Sequence, residues 1–437
     1  MPVDQPQLVI ADNNGQIYTI PFLEAVGMKG GVCFRLSDRD LIKLPHGSQM
    51  FMLPQRPPVC YDPEAAEYVA LDFNPLKKEN EPCWAVAAFA APGYTITYNS
   101  AYQLPKKNKK KWLPLFAYGA VVCYKEDFYV TAVRVDWERR QDPRYMDLGL
   151  MKKNIKAFLK SFPRNRLIKH LENCALVNCC PAAKNFFLQR YEGPLPTSPK
   201  CNSQCLGCIS YQPEDKCPVT QPRITFIPTP EEIAETALYH IDHVADPVVS
   251  FGQGCEGEPL LVADKIERAI RLIRKKTARG IINLNTNASR PESVARLCDA
   301  GLDSIRVSLN SFRKKYYDLY YQPHGYDLQD VLSSIHQVKR RKKFVSLNYL
   351  TMPGFTDDYD EYSTLKDFMD VLNIDMIQWR NLNFDPLMYF ELLHFSPDSQ
   401  KMLGIDNLIH SIHRQYPHIM KGYFNPSRRR MRRFFQQ

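Results

Sequence analysis

Residues 199–211, which read PKCNSQCLGCISY, decide how the rest of the chain is interpreted. Three cysteines in this stretch, Cys201, Cys205 and Cys208, follow a CxxxCxxC spacing. This spacing brings three thiolates to one side of a tight loop, and thiolates arranged in this way bind zinc or an iron–sulfur cluster. Because the loop holds no fourth cysteine, one coordination position of a bound metal can stay open. An open position is typical of a metal centre that does chemistry rather than one that stabilises a fold.

The length and composition predict a multidomain globular protein of a reducing compartment. A chain of 437 residues is too long for one ordinary core, and 44% hydrophobic with 24% charged residues is usual for globular proteins. Neither a signal peptide nor a membrane span is recognisable in the sequence, so we expect no membrane association. Thirteen cysteines without a secretory signal argue against a disulfide framework and favour the cytoplasm.

The net charge of +10 is concentrated in two basic runs, KKNKKK at 106–111 and RRRMRR at 428–433. Such runs are most simply a solvated loop and a solvated tail. They are also typical of an electrostatic contact with RNA, DNA or an acidic partner.

The first 194 residues carry no catalytic signature. Residues 1–150 predict a β-rich N-terminal domain of unknown role, a small barrel or sandwich, because short β-prone runs alternate with turn residues. Residues 151–194 predict a helical connector from apolar residues at helical spacing. The connector contains Cys174, Cys179 and Cys180, which are either free thiols or, with Cys217, ligands of a second cluster.

From residue 195 to 390 the pattern changes to alternating strands and helices. Strand-like runs occur at 248–251, 281–285, 305–309, 344–350 and 376–380, and a first strand is expected just before Cys201. Six strand–helix units predict an α/β fold, a partial (β/α)6 TIM-like barrel with a parallel sheet. The functional loops of such a barrel lie at the carboxyl ends of the strands, where the cysteine loop falls. Residues 391–437 are expected to form C-terminal helices and a basic tail.

A glycine-rich segment, SFGQGCEGEPL at 250–260, follows the second strand. Glycines allow a backbone to approach a ligand closely. With this segment in place, the chain resembles the radical S-adenosylmethionine (radical SAM) enzymes. The three loop cysteines match the cluster motif of that family, and Gly257-Glu258-Pro259 match the end of its GGEP-like motif. Two positions depart from the pattern: Gly207 stands where an aromatic residue is usual, and Glu256 stands where the first glycine is usual.

The resemblance implies a mechanism and a set of cofactors. A [4Fe–4S] cluster held by Cys201, Cys205 and Cys208 would bind S-adenosylmethionine and, after one-electron reduction, cleave it to methionine and a 5′-deoxyadenosyl radical. That radical would abstract hydrogen from a substrate. An electron donor such as flavodoxin or ferredoxin is implied, as is sensitivity to oxygen. The substrate class stays open between a peptide or protein, RNA and a small metabolite.

The resemblance also suggests cofactor-binding residues, and no catalytic residue is assigned beyond the cluster. The predicted set is Gly254, Gly257, Glu258, Pro259, Ser308, Asn310 and Asn381. Asn285 and Asn287 lie at the end of the third strand. They could bind a ribose or carboxylate group, but asparagine is equally common at strand ends that bind nothing.

A protein of another class is the alternative. Cys201, Cys205, Cys208 and Cys217 could form a four-cysteine zinc site in a non-enzymatic protein whose basic runs bind nucleic acid. The six strand–helix units and the glycine-rich segment argue against this alternative, since a zinc ribbon needs neither.

Overall fold

The computed structural model describes residues 5–77, 80–104, 112–213 and 216–436. The basic run predicted at 106–111 lies outside these ranges. Within them, no helix is both long enough and apolar enough to pass through a bilayer.

The N-terminal region is a closed antiparallel barrel with additional strands. Its strands are β1 (Gln7–Ala11), β2 (Ile17–Lys29), β3 (Val32–Arg35), β4 (Ile42–Lys43), β5 (Gln49–Met52), β6 (Val59–Asp62), β7 (Glu67–Ala70), β8 (Trp84–Phe89), β9 (Tyr94–Ile96), β10 (Asn99–Ser100), β11 (Gly119–Tyr124), β12 (Asp127–Val130) and β13 (Ala132–Arg134). The barrel closes because β1 pairs with β2 and β8, β2 with β10, β10 with β11, and β11 with β8. Closure removes free strand edges, and it confirms the predicted β-rich region in its barrel form.

Three helices connect the two parts of the chain: α1 (Leu148–Ser161), α2 (Arg166–Leu176) and α3 (Pro181–Phe187). Side chains cap the first two, because Asp147 accepts a hydrogen bond from the Leu150 amide and Asn165 accepts one from the Ile168 amide. The three helices bury a shared apolar cluster that includes Phe158, Leu171 and Cys174, and Cys255 of the glycine-rich segment belongs to the same cluster.

The second half is a curled parallel sheet covered by helices, as predicted. Its elements run β14 (Glu192–Pro194), α4 (Pro230–His243), β15 (Val248–Phe251), α5 (Ala263–Lys276), β16 (Ile281–Thr286), α6 (Pro291–Ala300), β17 (Ser304–Leu309), α7 (Lys314–Tyr321), α8 (Leu328–Arg340), β18 (Phe344–Thr351), α9 (Tyr359–Leu372) and β19 (Met376–Asn381). Neighbouring strands are parallel and lie in chain order, so their carboxyl ends meet at one rim. The strand β14 precedes Cys201, as expected.

The C-terminal segment adds α10 (Pro386–Leu392), α11 (Ile405–Gln415), β20 (Met420–Gly422) and α12 (Arg428–Phe435). The strand β20 pairs with β19 and extends the sheet to seven strands, one more than the sequence predicts. The basic run at 428–433 was expected to be a tail, but it forms most of α12. Arg430 Nη1 donates to Asp136 Oδ2 over 2.9 Å, and Arg428 Nη2 donates to the Gly280 carbonyl over 3.1 Å. Part of the positive charge of this run therefore binds groups of the same chain.

The N-terminal barrel and the parallel sheet touch directly. Asn381 at the end of β19 accepts a hydrogen bond from the Ile96 amide and donates one to the Tyr94 carbonyl, each over 2.9 Å. Asp385 is buried at the same interface, where it accepts a hydrogen bond from the Tyr102 hydroxyl over 2.6 Å. These contacts place the N-terminal barrel beside the carboxyl end of β19.

Candidate metal and cofactor site

The cysteine loop lies at the carboxyl rim of the parallel sheet, between β14 and α4. Backbone hydrogen bonds fasten it to the end of α7: the Gln204 amide donates to the Tyr321 carbonyl and the Leu206 amide donates to the Tyr320 carbonyl, each over 3.0 Å. Cys201, Cys205 and Cys208 are all partly exposed and line one cavity of about 290 Å³. The predicted convergence of the three thiols is therefore present.

The spacing of these thiols suits a cluster better than a single ion. Among the described residues, only one set of three His, Cys, Asp or Glu side chains brings all its ligand atoms within 4.8 Å, and that set does not include the loop cysteines. In a [4Fe–4S] cluster each cysteine binds a different iron, so the sulfurs are farther apart than the ligands of one ion. Cys217 does not line the cavity but packs in the core of the parallel-sheet domain. The structure therefore does not bring Cys217 into the cavity that the three loop cysteines line.

Burial favours the protonated form of two of the loop thiols, Cys201 and Cys205. It raises the pKa of Cys201 to about 11 and that of Cys205 well above its usual range, and Arg223 opposes both shifts. The Arg223 guanidinium lies 3.6 Å from Cys208 Sγ and donates to Ser210 Oγ over 3.0 Å. A metal bound here must displace protons, and Arg223 would stabilise the resulting thiolates. The sequence contains no motif that singles out Arg223.

The glycine-rich segment packs directly on the strand side of the cysteine loop. The Gly257 amide donates to the Ser198 carbonyl over 2.7 Å, and the Glu258 amide donates to the Lys200 carbonyl over 2.8 Å. A Cβ atom at position 257 would lie 2.0 Å from the Lys200 carbonyl oxygen. Glycine is required at this position because the two backbones approach more closely than any side chain allows.

Glu256, the departure from the family's first glycine, fastens the same segment. Its buried carboxylate accepts hydrogen bonds from the amides of Thr197 and Ser198, over 2.8 and 3.0 Å, and from the Gln253 amide over 2.7 Å. Burial raises the pKa of Glu256, whereas these donors lower it. The side chain links the glycine-rich segment to the residues that precede Cys201.

Glu258 is a buried carboxylate in the wall of the cavity. It accepts hydrogen bonds from the Asn287 amide over 2.8 Å, the Leu260 amide over 3.0 Å and the Thr286 hydroxyl over 2.5 Å. Burial outweighs these donors and raises the pKa of Glu258 to about 7. A carboxylate held in this way has a fixed orientation and can accept a hydrogen bond from an amino group in the cavity.

An aromatic side chain from α7 lies beside Gly207, the other departure from the family pattern. A Cβ atom at position 207 would lie 3.0 Å from the Tyr320 hydroxyl oxygen and 3.1 Å from the Asn383 carbonyl. Tyr320 is buried and lines the cavity with the three cysteines. The aromatic surface next to the third cysteine therefore comes from a neighbouring helix.

Of the ten predicted metal and cofactor residues, the structure brings nine to this cavity. They are Cys201, Cys205, Cys208, Gly254, Gly257, Glu258, Pro259, Ser308 and Asn381. The side-chain amide of Asn381 also binds β9, as described above. Asn310 lies outside the cavity, where it is buried and donates to the Tyr316 carbonyl over 3.2 Å. The candidate site therefore excludes Asn310, whereas Asn285 and Asn287 line it.

Two arginines that sequence reasoning did not select also line the cavity, Arg306 on β17 and Arg380 on β19. Burial and the positive charge of Arg380 lower the pKa of Arg306 to about 9. Arg306 Nε has no hydrogen-bond partner among the described residues. A buried donor without a partner is unfavourable, so this wall of the cavity is suited to an anionic group.

A comparison with known protein families identifies the part of the chain that carries this cavity. Residues 195–364 match the family model of the Radical SAM superfamily. This segment of the chain is therefore a radical SAM domain, the domain of an enzyme superfamily, as the sequence motifs indicate.

Similarity to individual proteins is more distant. Over 161 residues the chain is 29% identical to molybdenum cofactor biosynthesis protein 1 of Mus musculus. These aligned residues make up 36% of this chain and 23% of that protein. The chain thus spans about a quarter of the length of that relative. Among solved structures, Streptococcus suis SuiB bound to the precursor peptide SuiA has 13% identity and a TM-score of 0.37, over 68% of this chain and 67% of that chain. Methylornithine synthase (PylB) has 15% identity and a TM-score of 0.37, over 62% of this chain and 77% of that chain.

Proposed function

We propose that the protein is a radical SAM enzyme that binds a [4Fe–4S] cluster and S-adenosylmethionine in the cavity at the rim of the parallel sheet. The observation that carries the proposal is convergence: three thiols spaced too widely for one ion, the tightly packed Gly257 and the fixed carboxylate of Glu258 line the same cavity. When bound and reduced by one electron, the cluster supplies the reductive cleavage of S-adenosylmethionine to a 5′-deoxyadenosyl radical that abstracts hydrogen from a substrate.

The protein's own residues would bind the two cofactors, orient them and shield them from water. Cys201, Cys205 and Cys208 would hold the cluster as thiolates, and Arg223 would donate a hydrogen bond to a thiolate sulfur. The Glu258 carboxylate, whose orientation is set by its three donors, would accept a hydrogen bond from the amino group of S-adenosylmethionine. Tyr320 covers the cysteine loop from the side of α7 and excludes water, which strengthens every electrostatic contact in the cavity.

The proposal also covers the class of substrate and the electron donor. Arg306 and Arg380 favour a substrate or cofactor group that carries negative charge. A peptide or protein, an RNA and a small acidic metabolite all meet this requirement. The electron would come from a donor such as flavodoxin or ferredoxin. All thirteen cysteines are free thiols, which suits a reducing cytoplasm.

The test is anaerobic reconstitution followed by turnover. The full chain should bind about four irons and four sulfides, and with dithionite and S-adenosylmethionine it should release 5′-deoxyadenosine and methionine. The Cys205→Ala variant should lose both properties. The Cys217→Ala variant is the matched control and should keep them, because Cys217 lies in the core and not in the cavity.

Two results would overturn the proposal. Release of 5′-deoxyadenosine by Cys205→Ala would remove this cysteine from the ligand set. A reconstituted protein without iron, whose zinc content falls in both Cys205→Ala and Cys217→Ala, would support the four-cysteine zinc protein instead.

A further inference from the structure

We propose a second metal site in this protein: one zinc ion bound by His170, Cys174 and Cys255. The site joins the helical connector to the glycine-rich segment. It lies apart from the cysteine loop and does not depend on the proposed enzyme function.

The geometry of these three side chains matches a single ion. His170 and Cys174 are four residues apart on α2 and share one face of the helix. His170 Nε2 lies 3.4 Å from Cys174 Sγ and 3.4 Å from Cys255 Sγ. Zinc binds sulfur at about 2.3 Å and nitrogen at about 2.0 Å, and tetrahedral angles then place sulfur and nitrogen about 3.5 Å apart. The observed distances agree with this tetrahedral edge.

No other set within the described ranges has this property. His170, Cys174 and Cys255 are the only three His, Cys, Asp or Glu side chains there whose ligand atoms all lie within 4.8 Å of one another. A [4Fe–4S] cluster would need wider spacing, because its cysteines bind separate irons. The arrangement therefore favours one ion over the second cluster that the connector cysteines suggest in the sequence.

Cys180 lies near the three ligands, but it does not belong to the group whose ligand atoms all lie within 4.8 Å of one another. It precedes α3, and its amide donates to the Cys174 carbonyl over 2.9 Å. Its side chain packs on the apolar cluster that contains Cys174 and Cys255. Three protein ligands leave the fourth position of a tetrahedral zinc ion to a water molecule. Of the other thiols considered with the connector, Cys179 is exposed and Cys217 packs in the separate core of the sheet domain.

An ion can reach this site from solvent. Cys174 and Cys255 are 1% and 3% exposed, but His170 is only partly buried. His170 also lines a surface cavity between α2 and Phe226. The metal would enter past the imidazole and displace thiol protons into this cavity.

The position of Cys255 suggests what the ion does. Cys255 is adjacent to Glu256 and three residues before Glu258, and its carbonyl accepts a hydrogen bond from the Ile224 amide over 2.8 Å. A zinc ion on Cys255 would fix the glycine-rich segment to α2.

The test uses a background in which the cysteine loop cannot bind metal. In the full chain, Cys201, Cys205 and Cys208 are all replaced by alanine, and zinc, iron and sulfide are measured after purification. We expect about one zinc per chain and no iron or sulfide. Because the cluster ligands are absent, failure of the proposed enzyme function cannot produce or mask this result.

Single changes in that background identify the ligands. His170→Gln, Cys174→Ser and Cys255→Ser should each weaken zinc binding by more than about a hundredfold, measured against a competing chelator. This loss is larger than the one caused by removing a residue that only hydrogen-bonds to a metal ligand. Cys179→Ser is the matched control and should leave the affinity unchanged. Circular dichroism identifies any variant that fails to fold. Cobalt titration of the unsubstituted background should give the intense visible bands of a tetrahedral site with thiolate ligands.

Several outcomes would overturn the proposal. Zinc that stays bound with unchanged affinity in His170→Gln, or no binding of zinc or cobalt by the folded background protein, would exclude the site. Iron with sulfide in the background would indicate a second cluster. A Cys174–Cys255 disulfide in protein purified anaerobically, detected by mass spectrometry, would assign the pair to thiol redox chemistry instead.

Discussion

Replacing Gly257 by alanine tests the central contact of the candidate site, the packing of the glycine-rich segment on the cysteine loop. The added Cβ would lie 2.0 Å from the Lys200 carbonyl oxygen, 2.4 Å from the Lys200 carbonyl carbon and 3.0 Å from the Cys201 amide nitrogen. All three are backbone atoms, so no side-chain rotation can make room. One backbone must move away from the other.

The size of the effect follows from these distances. A contact of 2.0 Å must open beyond 3.0 Å, so Gly257 and the residues before Cys201 must separate by at least 1 Å. A displacement of about 1 Å at a site of this kind can cost about a hundredfold in rate. The separation also breaks the two backbone hydrogen bonds that Gly257 and Glu258 make across the contact. At about 1 kcal/mol each, their loss should lower the free energy of unfolding by about 2 kcal/mol.

Two other glycines supply matched controls. A Cβ at Gly254 would meet the side-chain ends of Gln221 and Ile209, at 2.7 and 2.8 Å, and such ends can rotate away. A Cβ at Gly325 would meet no atom within 4 Å, although its φ of +73° strains any other residue. We expect release of 5′-deoxyadenosine to fall about a hundredfold in Gly257→Ala and less than tenfold in the two controls. Equal losses in Gly257→Ala and Gly254→Ala, at full cluster content, would refute the reasoning.

Two pH dependences follow from buried groups. Because burial raises the pKa of Glu258 to about 7, its carboxylate is protonated below that pH, and the affinity for S-adenosylmethionine, measured by equilibrium dialysis, should fall up to about tenfold per pH unit. Glu258→Gln should bind weakly at every pH, and an unchanged slope in this variant would place the titrating group elsewhere. Burial lowers the pKa of His240 to about 4, so the unfolded chain binds more protons between pH 4 and about 6.5 and stability is lost as the pH falls through this window. Urea unfolding at pH 5 should show a loss of about 2 kcal/mol relative to pH 7 that is absent in His240→Phe; the same loss in that variant would contradict the assignment.

The parallel sheet was predictable because its strands are short, apolar and separated by helices with clear signals. The capping box of Thr229 and Glu232 at α4 is one example, and the structure forms both of its hydrogen bonds. The strand β20 was not predictable, since three residues carry no periodicity and the strand depends on pairing with β19. The position of α12 depends on the Arg430–Asp136 pair, whose members are 294 residues apart in the chain. No local pattern can reveal such a contact.

The residues of the candidate site also fall into two groups, those that local sequence motifs predict and those that only the fold reveals. The cysteine spacing and the Gly257-Glu258-Pro259 motif are local, and they place their residues in the cavity. Arg223 and Tyr320 reach the cysteine loop from other segments, so only the fold reveals them. Asn310 was predicted from the family resemblance, and the structure places it outside the cavity. Ser308 and Asn310 would share a face if the strand continued, but β17 ends at Leu309 and the next residue turns into the interior.

The departure at Glu256 becomes understandable when the contacts of three consecutive residues are taken together. Gly257 packs its backbone on Ser198 and Lys200, and the Glu256 carboxylate binds the amides of Thr197 and Ser198. Cys255 lies against α2 beside His170. A glycine at position 256 could not form the carboxylate contacts, so the glutamate adds a second attachment where the family pattern has backbone alone. Because all three residues immediately before Glu258 are fastened, the direction of its carboxylate is set by the protein before any ligand binds.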